Sequence, residues 1–335
     1  MAKKLAAIGG YGNEDSDNIF VYQIEDENRW KLLASAKAGV RPSYLCFSDT
    51  NLLYVVNEQN LAMHQGEGLV KTYLLPSLQE IGSIPSGGED PCFLTLDPSK
   101  KFLLTTNYSS GTVAIFPLSK AGIPSFAVQT LQFFGLPGPN KDRQAWPHPH
   151  SILFDEERSC FYVADLGTDR LHQYAWEADK TEPARFIKDL RLPLGSGPRL
   201  MRLSSDKKFL YVVNELANSV SKVNPDTGET ALVCTTLQHA NREATAAHLE
   251  VLGERVIVST RGEDSILVHT ENNDSWYDCK GKCPRFFALD GHTLFIANQL
   301  SDCIVAYTLS ADNTLSQGQV VWEGPSPTCL QFKVV

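Results

Sequence analysis

Cys283-Pro284-Arg285 leads into the apolar run Phe286-Phe287-Ala288-Leu289. A turn follows, then Leu294-Phe295-Ile296-Ala297-Asn298-Gln299, then Ile304-Val305-Ala306-Tyr307. These runs are rich in aromatic and β-branched residues, have strand length and are bounded by turn residues. The same order recurs behind Arg41-Pro42-Ser43, Asp90-Pro91-Cys92, His148-Pro149-His150, Gly197-Pro198-Arg199, Ala246-Ala247-His248 and Ser326-Pro327-Thr328. Second strands run from Leu53 to Glu58, Leu103 to Tyr108, Phe161 to Leu166, Leu210 to Glu215 and Val256 to Arg261. No stretch carries the periodicity of an amphipathic helix of three or more turns. Seven repeats in 335 residues predict an all-β, seven-bladed β-propeller, with residues 1–335 as a single domain.

The two ends of the chain complete each other. Leu5-Ala6-Ala7-Ile8-Gly9-Gly10 is a second-type strand with no first strand ahead of it, and Cys329-Leu330-Gln331-Phe332 is a first-type strand with nothing behind it. Pairing the C-terminal strand with three N-terminal strands closes the ring and leaves no open blade edge. Counting that blade as the first, the triplets at Arg41, Asp90, His148, Gly197, Ala246 and Cys283 open blades two to seven.

Composition narrows the partners. The chain is 42% hydrophobic and 21% charged, as expected of a soluble globular protein, and its formal charge is −9. That balance argues against a nucleic-acid partner or an anionic membrane surface, both of which need a basic face. No apolar run has the length of a membrane-spanning helix. The apolar start is too short for a secretory leader, and the eight cysteines lie mostly inside strand segments, so a cytoplasmic location is expected. Cys279 and Cys283 are the one local cysteine pair. Without a second pair or a nearby histidine, no metal and no cofactor are expected.

In each blade the first strand lies nearest the central channel and the second runs antiparallel to it. The start of one and the end of the other therefore share a channel mouth. The first column reads Ser43, Cys92, His150, Arg199, His248, Arg285 and Thr328, and the second holds Glu58, Tyr108, Glu215, Arg261 and Gln299. Three arginines against two glutamates leave positive charge over, and guanidinium groups match carboxylate or phosphate geometry. The asparagines next to the second column (Asn57, Asn107, Asn214 and Asn298, with Asp165 in their place once) are read as structural caps. His64, His172, His239, His269 and His292 are read as surface or turn residues. The long connection from Gln132 to Pro147, which carries Arg143, Gln144 and Trp146, leads straight into His148 and is read as functional. No Gly-x-Ser-x-Gly elbow, phosphate-cradling glycine loop or His-Glu-x-x-His occurs, leaving acid–base chemistry with electrostatic stabilisation.

Pro91-Cys92-Phe93-Leu94-Thr95-Leu96-Asp97-Pro98-Ser99 followed by Asn107-Tyr108-Ser109-Ser110-Gly111-Thr112-Val113 resembles the seven-bladed propeller lactonases. So do Arg143-Gln144 ahead of His148-x-His150-Ser151, and Asp165-Leu166-Gly167-x-Asp169-Arg170. Gly197-Pro198-Arg199, Val213-Asn214-Glu215-Leu216, Pro284-Arg285-x-Phe287-Ala288-Leu289 and Ala297-Asn298-Gln299 extend the likeness over nearly the whole chain. The family includes bacterial 6-phosphogluconolactonases and a fungal carboxy-cis,cis-muconate cyclase. The resemblance implies a site at one channel mouth, with catalytic roles for His148 or His150, Arg199, Glu215 and Arg261. Arg285, Glu58, His248, Arg143 and Gln299 are the expected substrate contacts. The sequence departs from the family pattern at Ala247-His248, Leu200 and Phe286, all bordering the pocket.

The expected activity is hydrolysis of a small anionic sugar lactone or sugar-phosphate substrate, foremost 6-phosphogluconolactone. A lactonising cyclase and a non-catalytic interaction propeller are the alternatives. The sequence does not choose between His148 and His150 as base, and it leaves the oligomeric state unknown.

Overall fold

In the computed structural model, residues 4–26, 29–64, 66–240 and 243–334 are described. They form seven four-stranded antiparallel sheets, each ordered from an inner to an outer strand. Six are consecutive in sequence; the seventh combines Pro327–Val334 with Lys4–Gly10, Ile19–Asp26 and Arg29–Ala36. Lys4 pairs with Val334 and Ile8 with Leu330 along this closing seam. At its end Gly10 approaches Ser326 so closely that a Cβ would lie 2.2 Å from the Ser326 carbonyl oxygen, which restricts this position to glycine. Helix is confined, among the described residues, to one turn at Leu61–His64 and a 3₁₀ turn at Gln299–Ser301. No helix is long and apolar enough to cross a membrane.

The blades pack through the side chains of their middle strands. Tyr54, Tyr162, Phe161, Phe116 and Phe295 are among the largest fully buried residues, which accounts for the aromatic and β-branched content of these runs. The second strands stop one residue earlier than the sequence suggests, at Asn57, Asn107, Asp165, Asn214 and Asn298. Each amide is drawn into capping. Asn57 donates to the Ala38 and Val40 carbonyls, Asn107 to Ser86, and Asn298 to Cys279. The next residue (Glu58, Tyr108, Glu215 or Gln299) is thereby turned off the ladder.

The lead-in triplets have a shared geometry. Their first residue is left-handed in five blades: φ is 40° at Arg41, 52° at Asp90, 60° at Gly197, 58° at Cys283 and 42° at Ser326. Its carbonyl accepts the backbone N–H of the second-column residue, as in Glu58 to Arg41, Tyr108 to Asp90, Glu215 to Gly197, Gln299 to Cys283 and Tyr11 to Ser326. The third residue is bulged. The ladder passes from Pro91 to Phe93, Pro149 to Ser151, Pro198 to Leu200 and Pro284 to Phe286, leaving out Cys92, His150, Arg199 and Arg285. In the closing blade it leaves out Thr328, and in blade six it shifts across Ala247 and His248. A bulge bends its strand and re-aims the extra side chain. Here it points into the channel.

Candidate active site

Ser43, Cys92, His150, Arg199, His248, Arg285 and Thr328 line one cavity in the channel, together with Tyr44, Phe93, Leu200 and Phe286 from the next position along their strands. The second column stands above it. The centre of the mouth is Glu215, whose side chain is only 3% exposed and which meets three arginines. Arg143 Nη2 donates to Oε1 at 2.6 Å, while Arg199 Nε and Arg261 Nη2 lie 2.9 Å from Oε2. The last two nitrogens are buried at ion-pair distance from Oε2, and neither contact has hydrogen-bond geometry.

Although burial opposes ionisation of Glu215, Arg261, Arg199 and Arg143 hold its carboxyl far below the usual range. It is a fixed negative charge, unsuited to shuttling protons. Arg199 is lowered to about 10, first by burial and then by Arg261 beside it. Crowding that depresses a guanidinium is relieved by a further anion.

Arg143 reaches this centre because its loop is pinned. The buried Gln144 donates to the Leu166 carbonyl at 2.9 Å and to Asp169 at 2.8 Å. Arg143 Nη2 also donates to Tyr108 Oη at 3.3 Å, and the Tyr108 ring stacks on His148 with centroids 4.2 Å apart. The two histidines flanking Pro149 part company here. His148 Nδ1 lies 2.8 Å from the Tyr108 carbonyl oxygen, which can only accept, so the proton sits on Nδ1 and Nε2 keeps its lone pair. Burial lowers the His148 pKa, favouring that neutral form near neutral pH. His150 is deeper, with Nδ1 3.9 Å from Cys92 Sγ, and burial followed by Arg199 drives its pKa well down.

The backbone of His148 is also held. Its N–H donates to Asp165 Oδ1 at 2.7 Å, and Asp165 Oδ2 accepts from Thr168 and from His172 Nε2 at 3.1 Å. His172 Nδ1 lies 2.7 Å from Asp189. The sequence reading of His172 as a surface or turn residue is therefore wrong: its strand register puts it 4% exposed, stacked on Phe133 and bridging two aspartates. Burial alone would lower its pKa, but hydrogen bonds to Asp165 and Asp189 raise it. His269 is also partly covered, against Asp274, whereas His239 and His292 are exposed and the His64 side chain lies outside the described residues.

A second group faces the mouth from blades one, two and seven. Tyr11 donates to Glu58 Oε1 and accepts from Arg285 Nη2 at 3.1 Å. The guanidinium carbons of Arg41 and Arg285 lie over its ring, 5.3 and 5.0 Å from the centroid. Sequence reading missed Tyr11, although it follows Gly10 just as Glu58 follows Asn57. Two expected contacts stand apart from both groups. His248, held at about 4 chiefly by burial, lies in the channel wall against Phe286 and 3.7 Å from Glu250. Gln299 sits on the 3₁₀ turn and meets Cys283.

The chemistry available is a neutral imidazole beside donor-rich guanidiniums, with residues drawn from all seven blades. Comparison with known proteins agrees on the framework. Residues 5–332 match the family described as lactonase, 7-bladed beta-propeller. The chain is 28% identical to a Bacillus subtilis protein named 6-phosphogluconolactonase, covering 99% of each. It is 27% identical to a Formosa agariphila protein of the same name, covering 83% of this chain and 84% of that one. Among solved structures, a periplasmic gluconolactonase of Pseudomonas aeruginosa superposes with a TM-score of 0.87 at 25% identity, covering 99% of both chains.

Proposed function

The chain belongs to the seven-bladed β-propeller lactonase family, and from that premise we propose that it is a 6-phosphogluconolactonase in which His148 is the general base. The observation that carries this reading is the continuous contact from His148 through Tyr108 and Arg143 to Glu215, Arg199 and Arg261. On this reading the proton acceptor and the oxyanion donors share one mouth.

In the proposed reaction His148 Nε2 takes a proton from water as the water oxygen bonds to the lactone carbonyl carbon. Negative charge develops on the carbonyl oxygen, where Arg199 and Arg261 supply preorganised donors. Collapse of the tetrahedral intermediate breaks the bond from carbonyl carbon to ring oxygen, and His148 returns its proton to that oxygen. The product is the open-chain acid. Glu215 orients the guanidiniums and stays ionised throughout. His150, Arg285, Glu58 and Arg143 shape the surroundings, and residues 1–335 act as one catalytic domain. The two relatives named 6-phosphogluconolactonase support the phosphorylated substrate. Eight unpaired cysteines suit a reducing, cytoplasmic location.

The test couples lactone opening to oxidation of the 6-phosphogluconate formed, with spontaneous hydrolysis subtracted. Wild-type protein accelerates opening, while His148→Gln lowers kcat about 10²- to 10⁴-fold, the usual worth of a positioned base. Log kcat/KM of the wild type rises to a plateau through an acid limb below pH 6.5, following the lowered His148 pKa. Full turnover in His148→Gln removes His148 from the role, and no acceleration by wild-type protein removes the activity.

A further inference from the structure

Glu58 is asymmetrically satisfied. Oε1 accepts from Tyr11, but Oε2 is buried and receives no hydrogen bond from any described residue. Its nearest cation, Arg285 Nη2, stands 3.9 Å away, beyond hydrogen-bond reach, and donates to Tyr11 instead. Tyr11 in turn is held by cation–π contacts with Arg41 and Arg285. The chain from Arg285 to Tyr11 to Glu58 thus directs the donors to one carboxylate oxygen and leaves the other as an acceptor. A buried carboxylate oxygen without a donor is costly, which makes it a strong acceptor for any ligand hydroxyl that reaches it.

Resting on the lactonase reading, we infer that Glu58 Oε2 is the hydroxyl-recognising point of the site. It selects polyhydroxylated sugar lactones over lactones or conjugated acids that carry no hydroxyl. Arg285 and Tyr11 are positioning residues that leave this oxygen without a donor. An anionic carboxylate substrate meets repulsion at Glu58, whereas a sugar ring offers the donor it lacks. This separates the two anchoring needs of a sugar phosphate: its charge goes to the arginines and its hydroxyl to Glu58. A site built around such a bond discriminates strongly against the analogue without the hydroxyl, because the buried acceptor then stays unpaired.

The experiment compares glucono-1,5-lactone with δ-valerolactone, which share the six-membered lactone ring and neutral charge but differ in hydroxyls. In wild-type protein kcat/KM favours the hydroxylated lactone by at least about tenfold, and Glu58→Gln reduces that preference by about 10- to 100-fold, mainly through KM. Gln is isosteric, and a melt matching wild type shows that the fold is intact. An unchanged preference in folded Glu58→Gln overturns the inference. So does equal turnover of both lactones by the wild type, a result that does not depend on the variant. If the wild type opens neither of these nor 6-phosphogluconolactone, the lactonase reading itself falls, and this inference with it.

Discussion

Replacing Glu215 with Gln keeps its shape and removes the carboxylate that the three guanidiniums of Arg143, Arg199 and Arg261 share. Removing one partner of a buried ion pair costs about 3–5 kcal/mol, because the remaining charge is left uncompensated. With an unfolding entropy of about 2.1 cal/mol/K per residue, a chain of this length has roughly 0.7 kcal/mol/K in total. The expected drop in Tm at pH 7 is therefore about 4–7 °C. The sign with pH follows from the depressed carboxyl of Glu215. Its contribution is complete above the unfolded value of 4.5 and is lost as pH falls through the lower folded value. The gap between wild type and variant should stay constant from about pH 5.5 to neutrality and narrow on further acidification. Added phosphate should stabilise Glu215→Gln more than wild type, since it replaces the missing negative charge. A variant that melts within about 1 °C of wild type at pH 7 would refute the claim that Glu215 holds this cluster together. Calorimetry across pH, with and without phosphate, reads all of these outcomes.

Three further outcomes follow from the surroundings of His148 and from the closing blade. Asp165→Asn offers an amide donor where His148 N–H, Gly167 N–H, Thr168 and His172 need acceptors. It should destabilise by about 1–3 kcal/mol and lower kcat, with KM less affected; chemical denaturation and steady-state kinetics check both. His172, whose pKa is raised by Asp165 and Asp189, contributes stability that is complete below its unfolded value and lost as pH rises through the folded one. The Tm deficit of His172→Gln should therefore be larger at pH 6 than at pH 9. Ending the chain after Gly324 deletes the inner strand of the closing blade and exposes the Lys4–Gly10 edge, so the product should aggregate, as read by size-exclusion chromatography.

The blade count was legible because the lead-in triplet is dictated by backbone geometry. A left-handed residue in five blades, with a proline and a bulge in six each, is a strong backbone constraint, so the triplet recurs while its third residue varies. Both columns of the mouth followed from strand direction alone, and Glu215, Arg199 and Arg261 do meet. Tyr11 escaped notice because its strand opens the chain and ends in Gly9-Gly10, where five other blades show an amide or acid. His172 was misread because burial of a third-strand residue depends on packing against the neighbouring loop, here Phe133, which local alternation does not encode. The tautomer of His148 also lay beyond the sequence, since it depends on a carbonyl contributed by another blade.

The bulged lining has an evolutionary consequence. Six of its seven positions, Cys92, His150, Arg199, His248, Arg285 and Thr328, fall at such bulges, and Ser43 lies ahead of its strand, while the ladder runs through neighbouring residues. The identity of the channel-facing side chain is thus largely uncoupled from strand pairing. A lineage with this architecture can replace one wall of the chamber by a single codon change while six blades keep their register. New substrate preferences then become accessible in small viable steps, without passing through an unfolded intermediate sequence.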